Sequence, residues 1–175
     1  IDDFLGCYDH LKLYANVADF TDVVNPVDEV KYPLICADIP DFVREELQER
    51  IEWLMVRTIT MNTIFMRRSP DGVRVPHMAH TDNSMGDYSL MLYMNDDQSG
   101  RDGGTALLTH IKTGMTAAPE TEDLLSIAKA DQNNSSAWAI RDFCRMKQNR
   151  AFLFDAHEFH CALPIGGFGR GIDSR

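Results

Sequence analysis

The chain has 175 residues, 44% of them hydrophobic, and 27 acidic against 17 basic side chains give a formal charge of −10. That length favours a single domain with its own core over two, and the acid excess, with a sequence pI near 4.9, argues against a nucleic-acid backbone or an anionic membrane surface as partner, since both are held by clustered Lys and Arg. Cys7, Cys36, Cys144 and Cys161 form no Cys-x-x-Cys pair, no apolar run approaches the ~20 residues of a membrane helix, and nothing reads as a signal peptide. The expectation is a cytoplasmic protein with reduced thiols.

Residues 1–39 carry the weakest signal. "FLGCYDHLKLYANVADF" could hold a strand and a short helix, and the prolines of "VNPVDEVKYPLICADIP" are expected to break regular pairing. From Asp41 to Met55 the side chains of Val43, Leu47, Ile51 and Leu54 recur at helical spacing, with Asp41 as the expected N-cap. The segments "VRTITMNTIFM", "YSLMLYMN", "GGTALLTH", "RAFLFDA" and "CALPI" are short, rich in β-branched, aromatic or aliphatic residues, and mostly bounded by Gly, Asp, Asn or Pro. They predict successive strands. Between them residues 111–149 form a polar insert, helical in its middle at "PETEDLLSIAKA", and long enough to be a lid or an irregular flap.

Many short strands without a helix between each pair favour an antiparallel sandwich or barrel. The predicted fold is mainly β with flanking helices, a double-sheet jelly roll (double-stranded β-helix). Residues 1–175 are read as one domain: a helical flank over 1–55, and a jelly-roll core over 56–170 that carries the insert 111–149.

The stretch "VPHMAHTDNSMGDYSLMLYMN" (75–95) sets His80 and Asp82 two residues apart. In an extended segment residues i and i+2 point to the same side, so the two side chains can share one ion. Two histidines and a carboxylate are how non-haem Fe(II) oxygenases hold iron while leaving positions open. The third histidine comes from "FLFDAHEFHCALPIGGFGRG", where a hydrophobic strand reaches His160 and a glycine-rich turn then delivers Arg170. An arginine fork there matches the far carboxylate of a dicarboxylate that chelates the metal.

Taken in order, these elements resemble the Fe(II)- and 2-oxoglutarate-dependent oxygenases, especially the prolyl-hydroxylase-like branch. The matching motifs are His80-Thr81-Asp82, a Tyr-x-Asn step at Tyr93 and Asn95, the Gly103-Gly104 pair before Thr105, and His160 followed by Pro164 and Arg170. The resemblance spans roughly residues 57–170, and "YPLICADIPDFV" is similar to the Tyr-Pro entry of a little-characterised subgroup. It implies that His80, Asp82 and His160 bind Fe(II), that Arg170 and the Tyr93 hydroxyl hold the 5-carboxylate of 2-oxoglutarate, and that Asn62, on the preceding strand, contacts the other end of this cosubstrate. The implied activity is a dioxygenase that uses O2 to convert 2-oxoglutarate to succinate and CO2 while hydroxylating a small molecule or peptide. The insert is longer than the family's usual connection, and the 175-residue sequence ends five residues after Arg170, where the family usually continues into another strand.

Within the motif, His77 competes with His80 and His157 with His160. Neither rival has the carboxylate at i+2 or the x-x-x-Pro spacing, so both, with His10 and His110, are read as surface or supporting histidines. Cys161 is expected to face away from the ligands, Met85, Met91 and Met94 to fill core, and the "GGFGRG" glycines to form turns. Zinc accepts the same two histidines and aspartate, so a zinc hydrolase or a non-catalytic metal-binding scaffold stands as the alternative class.

Overall fold

The computed structural model describes residues 1–25, 29–73, 75–95, 103–119 and 121–169. Helix α1 (Tyr8–Val17) is followed by strands β1 (Thr21–Val24) and β2 (Lys31–Cys36), helix α2 (Asp41–Met55) and the short strand β3 (Met66–Arg67). Strands β4 (Tyr88–Tyr93) and β5 (Gly104–His110) come next, then α3 (Glu122–Asp131), a 3-10 turn (Ser135–Ala137), β6 (Trp138–Arg145), β7 (Arg150–Asp155) and β8 (His160–Leu163). The strands form three antiparallel sheets, ordered β1-β2-β3, β4-β7 and β6-β5-β8. The fold is therefore rich in antiparallel strands with few helices.

The N-terminal flank differs from the sequence expectation, because it contributes two strands as well as two helices. Pro33 does not stop β2 from pairing, because it sits where the register with β1 shifts, between the pairs Val23↔Tyr32 and Thr21↔Ile35. A bulge tolerates a residue without an N–H. Leu34, at φ 55°, completes the irregularity, and its N–H is satisfied by Asp22 Oδ1 at 3.3 Å.

Helix α2 matches its predicted span, but Asp41 is its first helical residue and Pro40 occupies the N-cap position, with no side-chain cap. Val43 and Leu47 are buried, while Ile51 and Leu54 pack at the margin of the same cluster.

Two strand expectations need correction. Of "VRTITMNTIFM", only Met66 joins a strand, with Arg67; among the described residues the preceding ones pair with no strand, and β propensity is realised only against a neighbouring strand. Conversely, the insert 111–149 contains a full strand, since β6 pairs with β5 along its length from Gly104↔Arg145 to His110↔Trp138. Its side chains are largely exposed, and the register shift between Leu107 and Leu108 breaks the alternation that would have marked it.

Pairing parity decides which residues face each other. On β4-β7, the pairs Ser89↔Phe154 and Met91↔Phe152 share one face with Tyr93, while Leu90, Leu92 and Ala151 turn to the cluster formed with α1 and α2. On the other sheet, Thr105↔Ala162 and Leu107↔His160 share one face, while Ala106, Leu108 and Cys161 join Trp138, Phe159 and Ala128 of α3 in a second cluster. The Phe154 ring lies 4.9 Å from His160, and the Tyr93 hydroxyl donates to Thr105 Oγ1 at 2.8 Å, so the first faces of the two sheets meet.

The Gly103-Gly104 pair is a steric requirement of β5, which runs between two strands. A Cβ on Gly104 would lie 2.0 Å from the Cys144 carbonyl oxygen, and one on Gly103 would lie 2.8 Å from that of Leu163. Gly104→Ala is expected to lower the unfolding free energy by about 1–3 kcal/mol, read by denaturant unfolding; an unchanged midpoint would contradict this close approach.

Glu46 of α2 fastens the start of the chain. Its carboxylate accepts the N–H groups of Gly6 (2.6 Å) and Cys7 (2.9 Å), orphan donors at the N-terminus of α1, and Nε of Arg50 at 2.7 Å. Burial pushes the Glu46 carboxyl up, but the Cys7 and Gly6 donors and Arg50 outweigh it and hold it down at about 2. A depressed carboxyl contributes stability above its ordinary value of 4.5 and loses it as pH falls through about 2. Glu46→Gln should therefore be less stable than wild type at pH 7, with the gap closing below pH 4.5; a pH-independent gap in thermal unfolding would rule the latch out.

Candidate metal centre

The site begins with a backbone pair. His80, at the end of an irregular segment, lies directly opposite His160, the first residue of β8, in an isolated antiparallel bridge. The two residues exchange both main-chain hydrogen bonds, His80 N–H to His160 O at 3.1 Å and the reverse at 2.9 Å. Directly opposed residues point to the same face, and their rings stand 4.3 Å apart. Two residues on, Asp82 returns to that side, fixed by its N–H bond to Ala156 O at 2.9 Å. Asp82 Oδ2 lies 3.4 Å from His160 Nε2, and Oδ1 lies 3.9 Å from His80 Nε2.

These three side chains offer ligand atoms all within 4.8 Å of one another, the group of this kind found among the described residues. The hydrogen bonds around them prepare them as ligands. Nδ1 of His160 faces the Glu158 carbonyl at 3.0 Å and Nδ1 of His80 faces the Met78 carbonyl at 3.2 Å. A carbonyl only accepts, so Nδ1 carries the proton in each ring and Nε2 presents its lone pair to Asp82. Ser89 donates to Asp82 Oδ2 at 2.8 Å. These outer contacts set tautomer and orientation as supporting groups do around bound metals.

The His160 side chain is 2% exposed, yet its Nε2 has no hydrogen-bond partner among the described residues. Asp82 Oδ2 is near, but off the line of a hydrogen bond. An orphaned buried nitrogen costs stability, and a divalent ion would satisfy it. Burial raises the Asp82 carboxyl, but His160, His80 and Ser89 outweigh it and bring it down to about 2. Burial and then the neighbouring His160 lower His80 to about 4. At neutral pH the aspartate is thus charged and His80 neutral, the forms that bind metal.

Arg170 lies outside the described residues. Tyr93 sits on the inner face of β4, its hydroxyl at 2.8 Å from Thr105 Oγ1 and 3.3 Å from the Cys144 carbonyl, and burial raises its pKa. Asn62 is exposed on an irregular segment rather than a strand, and donates to the Met85 carbonyl at 3.4 Å, bracing the turn after Asp82. Cys161 faces the second cluster, and burial pushes its thiol up to about 11. Met85 is exposed rather than core-filling.

Among the rival histidines, His157 is exposed and bonded to Asp155 Oδ1 at 2.9 Å, and His10 sits edge-on to Phe42. His110 departs from the surface expectation: it is fully buried, with Nδ1 at 2.8 Å from Thr113 Oγ1 and Nε2 at 3.1 Å from Asp131 Oδ2. Strand parity in "GGTALLTH" places it with Ala106 and Leu108, and that was the signal available. Arg67 and Ser89 also border the site. Ser89 shares parity with Tyr93, whereas nothing local to Arg67 marks it.

No protein-family model, no curated protein and no solved structure matches this chain.

Fe(II) under anaerobic conditions, or Zn(II), should raise the melting temperature of metal-free protein by about 5–10 °C at a free concentration 100 times its Kd. His160→Ala should abolish the rise. An equal rise in that variant would place the metal elsewhere.

Proposed function

We propose that the protein is a non-haem Fe(II) dioxygenase dependent on 2-oxoglutarate, built on a double-stranded β-helix whose two halves are the facing sheets β4-β7 and β6-β5-β8. The observation that carries this reading is the juxtaposition of His80, Asp82 and His160 with all three prepared as ligands: two Nε2 lone pairs and one carboxylate, converging from an antiparallel bridge. Three protein ligands on one side leave the remaining positions of an octahedral ion for cosubstrate and oxygen. When bound, iron with 2-oxoglutarate and O2 would supply the oxidising chemistry, in which one oxygen atom goes into succinate as CO2 is lost and the other hydroxylates a substrate carbon.

The chain's own residues bind, orient and exclude water. The Glu158 and Met78 carbonyls hold the imidazoles by Nδ1–H, so that neither ring rotates away or presents a proton to the ion. Ser89 occupies one oxygen of Asp82, which favours ligation through the other. Phe154, edge-on to His160, and Leu107 beside it in the register line the interior with apolar surface. That lowers the local dielectric and keeps bulk water from the reacting centre. Deeper between the sheets, the Tyr93 and Thr105 hydroxyls are already bonded to each other; in this reading they turn that pair toward the distal carboxylate of 2-oxoglutarate, with Arg170 as the proposed cationic partner.

The test is release of succinate from 2-oxoglutarate by the Fe(II)-loaded protein in air. Wild type should form succinate above a metal-free control, and His80→Ala, Asp82→Ala and His160→Ala should each fall to background while remaining folded. Succinate formation at the wild-type rate in any of the three would sink the assignment, and hydrolytic activity supported by zinc alone would replace it.

A further inference from the structure

Beside His80 the surface opens into a pocket of about 70 Å³. Its walls include Tyr32 and Arg67 from the β1-β2-β3 sheet, His77 and His80 from the segment leading to the metal centre, and Pro164 and Phe168 after β8. The glycine turn following β8 forms one rim, held by Phe168 N–H to Ser69 O at 2.7 Å and Gly72 N–H to Gly166 O at 2.8 Å. Gly167, at φ +88°, is required there, because a Cβ would sit 2.2 Å from the Pro70 carbonyl oxygen.

The metal reading gives no work to Arg67. Its Nε and Nη2 are buried without a hydrogen-bond partner among the described residues. These two atoms lie along one edge of the guanidinium, where the N–H bonds run parallel and match the two oxygens of a carboxylate. A buried guanidinium edge with nothing on it costs stability. Apart from Ser69, the other walls, among them Val73, Val75 and Ile165, are apolar.

We propose that this pocket is the substrate subsite, and that it takes a carboxylic acid whose carboxylate pairs with Arg67, the guanidinium turning its Nε and Nη2 edge, closed to solvent as it stands, toward the cavity, and whose short apolar body lies against the valines and Phe168. With a water occupying ~30 Å³ in the liquid, the volume suits a carboxylate and the few carbons next to it. The substrate carbon beyond them lies on the His80 side, where the metal centre would act on it. The assignment to substrate rests on the dioxygenase reading; the carboxylate pocket itself does not.

The test uses the whole chain, first without metal, with propionate as probe, propionamide as its uncharged counterpart and inorganic phosphate as a competing anion. Propionate at ten times its Kd should raise the melting temperature of wild type by about 3–5 °C, propionamide should not, and phosphate should do less. Arg67→Met should melt higher than wild type without ligand, because an unpaired buried charge has been removed, and should lose the propionate response. No response in wild type, an equal response in Arg67→Met, a larger one with phosphate, or a lower melting temperature for Arg67→Met would each overturn the pocket.

The second arm repeats the titration anaerobically with Fe(II) and saturating 2-oxoglutarate. Retention of the propionate response supports a substrate subsite separate from the cosubstrate. Its loss overturns that assignment and gives Arg67 to 2-oxoglutarate. If wild type fails to bind 2-oxoglutarate at all, the dioxygenase reading fails, while the metal-free arm still decides the pocket.

Discussion

The bridge between His80 and His160 is the contact on which the candidate site depends. Its two main-chain hydrogen bonds set an irregular segment directly against the first residue of β8. The consequence is geometric: opposed residues share a face, and the residue two positions on shares it too. Both imidazoles and the Asp82 carboxylate therefore converge without a side chain having to span a gap. β8 is in turn held by β5 in the register Leu107↔His160, so the glycine pair that lets β5 run between β6 and β8 indirectly positions a ligand.

Several groups near this bridge sit in states that folding alone does not favour. His160 Nε2 is buried without a hydrogen bond, Arg67 buries an unpaired edge, and His77 Nδ1 in the same pocket is likewise unpaired among the described residues. Elsewhere, His110 uses both ring nitrogens, Asn149 brackets Leu5 through its N–H and C=O, and Trp138 donates to the Asp131 carbonyl, whereas Arg68 Nε, over the Phe20 ring, is also unpaired among the described residues. Unpaired polar atoms gathered around one cavity and one triad are what a site evolved for ligands would show, because their partners arrive with the ligands.

The parts of this arrangement readable in the chain were those with local pattern. The His80-x-Asp82 spacing, the helical period of Val43 and Leu47, the alternation of "YSLMLY" and the paired glycines each encode geometry within a few residues; the last three fell in the elements expected of them, while His80 and Asp82 lie on an irregular segment joined to β8 by an isolated bridge. What could not be read depends on partners far along the chain. β6 was hidden because its side chains are mostly exposed and its register shifts against β5. Asn62 looked like a strand residue because Thr and Ile surround it, yet among the described residues no strand pairs with that segment. His110 became a core residue only through Asp131 and Trp138, 21 and 28 positions away. Arg67 gained its meaning from Tyr32 and from a turn nearly a hundred residues downstream, a juxtaposition no window of sequence contains.

The central claim is that His80, Asp82 and His160 hold iron with positions left open for a chelating 2-oxo acid. Anaerobic absorption spectroscopy addresses it most directly. Adding 2-oxoglutarate to Fe(II)-loaded protein should produce a weak visible metal-to-ligand charge-transfer band that saturates at one cosubstrate per chain and is missing in His160→Ala. Folded protein that carries one Fe(II) per chain and shows no such band at saturating 2-oxoglutarate would contradict the account.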